Sequence, residues 1–132
     1  MLLLTGFEPF GGMARNPTGE IALLLGEEPA VEGAVLPVDY QRIGGALDEL
    51  LAHEWDAVVL MGVAVQRPKL SLEKVAINFR DPQRPDNTGL CPEDPALVPG
   101  GPAAYFSTLP LAHLLGALEA EEIGRASCRE RV

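Results

Sequence analysis

Met1-Leu2-Leu3-Leu4-Thr5-Gly6-Phe7-Glu8-Pro9-Phe10-Gly11-Gly12 is the stretch whose reading decides the fold. Residues 1–5 form a short apolar run that stops at Gly6, which reads as a buried first strand. The residues after it are glycines, a proline and two phenylalanines, so the chain leaves the strand through a turn-rich loop. Asn16-Pro17 then supplies an N-cap and a first-turn proline. A helix is expected through Ile21, Ala22, Leu24 and Leu25, ending near Gly26.

Working outward, Ala34-Val35-Leu36-Pro37-Val38 reads as a second strand, with its proline at an edge or a strand end. Asp39 can cap a second helix whose apolar face is Ile43, Leu47, Leu50 and Leu51. Gly44-Gly45 weakens that helix locally. Ala57-Val58-Val59-Leu60-Met61-Gly62 is the clearest buried strand, and residues 70–78 form a further one. Residues 81–101 are rich in Pro, Gly, Asn and Asp and read as a long loop, a class that is usually functional or mobile. Residues 109–122 read as helix. The order β-α-β-α-β-β-loop-α argues for an α/β sandwich.

Bulk properties narrow the function. The chain has 132 residues, enough for one domain with one core, and 47% of them are hydrophobic. A formal charge of −9 disfavours phosphate backbones, so no nucleic-acid partner is expected. Residues 1–4 lack a basic leader and the apolar run ends at once, so no signal peptide is read. No stretch approaches the length of a membrane span. Cys91 and Cys128 form neither a metal spacing nor a disulfide framework. A cytoplasmic location, no membrane partner and no metal are expected.

Three segments carry candidate chemistry. The loop after the first strand leaves a strand's C-terminal end, where α/β folds commonly bind ligands. Phe7 and Phe10 stand out in a chain with only 5% aromatics. They could wall an apolar pocket for a small flat ring, or simply anchor the loop in the core. The loop is neither a P-loop nor a dinucleotide fingerprint. In residues 70–78, strand alternation puts Ser71, Glu73, Val75 and Ile77 on one face. A carboxylate among apolar residues is usually paired, orients a neighbour or moves a proton; a strand-end glutamate reaching water is the alternative. Asp81-Pro82-Gln83-Arg84-Pro85-Asp86-Asn87-Thr88-Gly89 is either an ordinary turn or the wall of a cleft, with Asp86 as a second carboxylate.

The motifs together resemble a known family. Thr5-Gly6-Phe7-Glu8-Pro9-Phe10-Gly11-Gly12 followed by Asn16-Pro17 resembles the opening of the pyroglutamyl peptidase I (pyrrolidone carboxyl peptidase) family. Gly62, then Leu70-Ser71-x-Glu73-Lys74-Val75-Ala76-x-Asn78, is similar to its active-site glutamate signature. Leu36-Pro37-Val38 and Pro85-Asp86-Asn87-x-Gly89 also fit, in the right order. The resemblance implies a three-layer α/β/α sandwich with a mixed central sheet, often assembled as a dimer or tetramer. It implies a cysteine exopeptidase that removes N-terminal pyroglutamyl residues from peptides, without metal or organic cofactor. Glu73 would be the acid that orients the catalytic histidine, Phe7 and Phe10 would wall the pyrrolidone ring, and Asp86 would sit in the wall near the site.

Departures accompany the match. Val65 stands where the signature has a small residue or proline. Gln83 falls where many members carry arginine, and Arg84 is one place late. The family's nucleophilic cysteine lies on a later helix, beyond Val132 here, and its histidine later still. Cys91, Cys128, His53 and His113 do not resemble catalytic positions. Residues 1–121 are therefore expected to be the N-terminal portion of a single peptidase domain, C-terminally truncated. Residues 122–132 are expected to be a non-native tail: Ile123-Gly124-Arg125-Ala126-Ser127-Cys128-Arg129-Glu130-Arg131-Val132 packs three arginines into ten residues and looks like translated sequencing-adapter read-through. Such a fragment would not hydrolyse its substrate. A non-catalytic binding module of the same sandwich is the alternative.

Overall fold

A computed structural model describes residues 1–127. It divides into two compact units, one of Met1–Val63 with Pro82–Glu93, the other of Ala64–Asp81 with the described residues from Asp94 onward. Parallel and antiparallel strand pairs occur together with helices, so the α/β class holds.

The first unit is a parallel three-stranded sheet with two helices. Strand β1 (Leu2–Phe7) lies between β2 (Val31–Leu36) and β3 (Ala57–Leu60). Leu2 pairs with Val31 on one side and Ala57 on the other. A central parallel strand is covered on both faces, and Leu3, Leu4, Thr5 and Gly6 are all buried. Helix α1 (Pro17–Leu25) joins β1 to β2, and α2 (Ile43–Leu51) joins β2 to β3. The order β2-β1-β3 makes the two crossovers run in opposite directions, and the right-handed rule then places α1 and α2 on opposite faces of the sheet. The loops leaving β1 and β3 therefore flank the switch point of the sheet, the usual ligand crevice of open α/β folds.

Helix α1 starts as the sequence predicts. Asn16 caps it, Pro17 opens it and Gly26 closes it. Two glycines let it sit directly on the strands. A Cβ at Gly6 would run into the backbone of Thr18 and Gly19, and one at Gly33 into the carbonyl of Ala22. The buried apolar side chains are Leu3, Leu4, Ala22 and Leu36; a buried leucine stabilises by about 2 kcal/mol.

Several boundaries differ from the sequence reading. Strand β2 comes earlier than residues 34–38, ending before Pro37, whose missing N–H has no ladder to serve. Asp39 caps a preliminary turn, its carboxylate accepting from the N–H groups of Gln41 and Arg42, while α2 proper starts at Ile43. Ile43, Leu47 and Leu50 are half-buried, but Leu51 is exposed.

The second unit holds β4 (Leu70–Glu73), β5 (Val75–Ile77), β6 (Ala104–Phe106), α3 (Leu111–Ala120) and β7 (Gly124–Ser127). The single strand expected over residues 70–78 is two: the ladder changes partner at Lys74. Strand β4 runs parallel to β7, and β5 runs antiparallel to β6. Residues 81–103 contain neither helix nor strand, so the long loop is there. Strand β6 was not expected, because three residues behind a Pro/Gly-rich stretch give no periodicity. Strand β7 falls within the segment read as a tail.

Candidate active site

In the first unit the loop after β1 is tied to its surroundings by several backbone hydrogen bonds. The Phe7 N–H donates to the Thr18 hydroxyl oxygen at 3.1 Å. The Glu8 N–H extends the ladder to the Leu36 carbonyl at 3.0 Å. The Glu8 carbonyl accepts from Asn16 Nδ2 at 3.1 Å, and the Pro9 carbonyl from Asn87 Nδ2 at 2.9 Å. The Phe10 carbonyl accepts from the Met13 N–H at 3.1 Å, closing a turn in which Gly11 and Gly12 are left-handed at φ 60° and 81°. The Thr18 hydroxyl in turn donates to Asn16 Oδ1 at 2.8 Å, so cap and loop share one buried cluster. Phe7 and Phe10 are both half-buried, intermediate between core anchors and open pocket walls.

The Glu8 side chain also reaches outward. Its Oε1 accepts from the Val38 N–H at 2.9 Å and from Asn87 Nδ2 at 3.0 Å. Asp86 beside it is occupied by its own surroundings. One carboxylate oxygen accepts from Tyr40 N–H at 2.8 Å. The other accepts from the Thr88 hydroxyl at 2.7 Å, the Thr88 N–H at 2.8 Å and the Leu90 N–H at 3.0 Å. The Thr88 hydroxyl, with the Tyr40, Leu90 and Thr88 backbone N–H groups, holds the Asp86 carboxyl down to about 2, against the opposing effect of lost solvent. Asp86 thus organises its loop, and the Asn87 N–H fastens that loop to the Val38 carbonyl at 2.9 Å.

In the second unit Glu73 closes β4. Its carboxylate forms an ion pair with Arg67, which rides on the loop entering β4. Glu73 is 55% exposed and Arg67 25%. Ser71 shares the Glu73 face of the strand, and its buried hydroxyl oxygen finds no hydrogen-bond partner among the described residues. Asn78 pins the long loop at Val98 with two bonds, donating to its carbonyl and accepting from its N–H, both at 2.8 Å. Arg80 Nε donates to the Asp94 carbonyl at 2.8 Å.

Phe7, Phe10 and Asp86 thus fall in the first unit and Glu73 in the second. Asn16, Thr18, Glu8, Asn87 and Arg67 hold these residues, and sequence reasoning assigned none of them a role in the site. Cys91 is an exposed free thiol. His53 lies edge-on to Trp55, ring centres 6.2 Å apart, and His113 lies in α3. Cys128 lies outside the described residues. Among the described residues no three His, Cys, Asp or Glu side chains are grouped to hold a metal ion, and no helix is long and apolar enough to cross a membrane.

A parallel sheet of order β2-β1-β3 with a tethered, aromatic loop at its switch point defines an α/β protein of the open-sheet kind. Comparison with known proteins makes the class specific. The family profile described as pyroglutamyl peptidase matches residues 1–127, and the chain belongs to that family. It is 43% identical over 131 residues to a pyrrolidone-carboxylate peptidase of Thermococcus kodakarensis, covering 95% of this chain and 63% of the relative. It is 45% identical over 125 residues to the Chromobacterium violaceum protein of the same name, covering 89% of this chain and 58% of the relative. Among solved structures it is similar to a mutant pyrrolidone carboxyl peptidase from P. furiosus, with TM-score 0.88, 40% identity, and coverage of 96% of this chain and 64% of that one. It is likewise similar to the pyrrolidone carboxyl peptidase from Thermus thermophilus, with TM-score 0.87, 42% identity, and coverage of 96% and 68%. The chain thus spans less than two thirds of the curated relatives it matches.

Proposed function

We propose that this chain is the N-terminal part of a cytoplasmic cysteine exopeptidase that removes pyroglutamyl residues from peptide N-termini. Family membership over residues 1–127 carries the reading, and the ordered motifs at Phe7–Phe10, Glu73 and Asp86-Asn87 support it. In this reading Phe7 and Phe10 wall the lactam ring. Pyroglutamate is small and neutral, so an apolar wall with a few polar partners suits it. Glu73 is the acid that orients the histidine. An acid in that place fixes the imidazole tautomer and stabilises its charged form. Arg67 then holds Glu73 from behind, and Asp86 shapes the wall by ordering its loop rather than by touching substrate.

The chemistry follows from those roles. A cysteine thiolate, its proton taken by the imidazole, adds to the pyroglutamyl carbonyl carbon. The C–N bond breaks, the imidazolium returns the proton to the leaving amine, and a thioester remains. Water, deprotonated by the same imidazole, then releases pyroglutamate and the thiol. No metal or organic cofactor enters any step.

The cysteine and histidine of this reaction belong, in this reading, to sequence following residue 121, and residues 122–132 are a non-native tail. The full-length protein is a homo-oligomer acting on small peptides. Long-read sequencing of the source DNA across the codons for residues 118–132 tests the first point. The reading expects a frame continuing into a cysteine and later a histidine. The continued protein should cleave a chromogenic pyroglutamyl substrate, lose that activity on Glu73→Ala, and the 132-residue chain should not cleave it. Substantial cleavage by the 132-residue chain would refute the fragment reading. A genuine stop after Val132 would favour a binding module instead.

A further inference from the structure

We infer that Glu8 and Asn87 act as a clamp that presets the Phe7–Phe10 loop for a flat lactam ring, making both positioning residues for ligand selection. The inference rests on the ring-wall role proposed above for Phe7 and Phe10.

Glu8 makes four bonds to three separate segments of the first unit. Its N–H bonds Leu36 at the end of β2, and its carbonyl accepts from Asn16 at the start of α1. Its carboxylate takes the Val38 N–H beyond β2 and the Asn87 amide. Asn87 spans the loop in the other direction, its Nδ2 donating both to Glu8 Oε1 at 3.0 Å and to the Pro9 carbonyl at 2.9 Å. The segment that carries Asn87 is itself fixed, through Asp86 to Tyr40 and through its own N–H to Val38. The residues between the two phenylalanines are therefore held from both sides. A turn carrying Gly11 and Gly12 would otherwise be among the most mobile parts of the chain, since glycine loses the most freedom on ordering.

Such ordering matters for a small ligand. A five-membered lactam offers few contacts, so the cost of arranging the wall around it is a large share of the binding free energy. A loop already arranged by protein–protein hydrogen bonds avoids that cost at binding. The chemistry of the clamp is also specific. Both acceptors facing Asn87 Nδ2 are oxygens, so only a donor fits there. A carboxylate at position 87 would face Glu8 Oε1 and the Pro9 carbonyl with no proton to share. Glutamine at position 8, by contrast, retains a carbonyl oxygen with two lone pairs for Val38 and Asn87.

The test uses the protein continued past residue 121, isotope-labelled, titrated with 2-pyrrolidone and with L-pyroglutamate while amide shifts and hydrogen exchange are followed by NMR. The wild type should show shifts at Phe7, Glu8 and Phe10. E8A and N87D should weaken binding about tenfold, the loss of one to two well-made hydrogen bonds, and speed exchange at Val38 or Met13. E8Q should bind within about twofold of wild type. Should E8A fail to fold, N87A, which removes only the tether, decides in its place. Variants that keep wild-type exchange and affinity overturn the clamp while leaving the ring wall intact. Faster exchange with unchanged affinity also overturns it, since the tie is then structural only. A wild type that binds neither ring refutes the ring wall itself, and the selection role falls with it.

Discussion

Asn16 is where the start of α1 and the loop after β1 meet, and its substitution separates two roles that a single alanine variant would merge. Asn16→Ala removes three bonds: Oδ1 to the Thr18 N–H at 3.0 Å, Oδ1 to the Thr18 hydroxyl at 2.8 Å, and Nδ2 to the Glu8 carbonyl at 3.1 Å. The residue is 2% exposed, so water does not replace them. Loss of the cap costs about 1 kcal/mol, and the two further bonds about 1 kcal/mol each, so about 3 kcal/mol in all. That is a large share of a typical domain stability of about 5–15 kcal/mol. Asn16→Asp keeps both Thr18 bonds and adds a favourable charge at the helix N-terminus. It also turns a carboxylate oxygen toward the Glu8 carbonyl, where the amide nitrogen stood. The lost donor and the opposed oxygens cost about 1–2 kcal/mol net of the dipole gain. Urea denaturation followed by far-UV circular dichroism should rank wild type above N16D and N16D above N16A, with a common slope. Were Asn16 only a helix cap, N16D would match or exceed the wild type, and that result would refute the tether to Glu8.

Other consequences can be checked on the same chain. The Asp86 carboxyl, held to about 2, titrates below the usual carboxylate value. Its stability contribution is therefore present above pH ~4 and is lost as pH falls through about 2. Asp86→Asn should flatten the fall in urea midpoint between those limits; an unchanged fall would assign the acid sensitivity elsewhere. Gly6→Ala would place a Cβ against the backbone of Thr18 and Gly19, which cannot rotate away. A loss of at least about 2 kcal/mol is expected, and a neutral result by thermal melting would show that α1 can shift. Tyr105 and Phe106 are 66% and 68% exposed on β6, so Y105S/F106S should lower self-association in static light scattering. Equal scattering would mean that this patch is not the associating surface.

Much of the first unit was legible because its signals are local. The run of residues 1–5, the Asn16-Pro17 start and the Gly26 stop each act within a few residues; α1 appears where they predict, and β1 runs on through Gly6 to Phe7. The break at Lys74 was not legible. Residues 70–78 have one continuous strand pattern, and only the change of partner from β7 to β6 divides them. The site was legible as residue types and order, not as a web of bonds. Asn87 reaches Glu8 across 79 positions, and such a pairing leaves no trace in periodicity or composition. Asp86 was readable as turn chemistry, and its Asx bonds to Thr88 and Leu90 are of that kind. Its bond to the Tyr40 N–H, which decides that the carboxylate is used up internally, is again a tertiary event.

The polar and apolar accounts of this chain point in different directions, and the contrast bears on the proposed fragment. Around Phe7, Glu8 and Asn87 hydrogen bonds within the chain hold the loop from several sides. The apolar surface is not closed. Among the described residues β3 pairs on one edge only, and its Leu60 is 62% exposed. Leu23 and Leu24 of α1 are also exposed, as are Ile77 of β5 and both β6 aromatics. An unpaired apolar edge strand invites pairing with more chain, and single domains rarely leave patches of this kind open. The polar bonds are made by residues this chain contains, whereas these apolar side chains are left open by them. That contrast is in keeping with the proposal that the catalytic cysteine and histidine lie in sequence beyond residue 121.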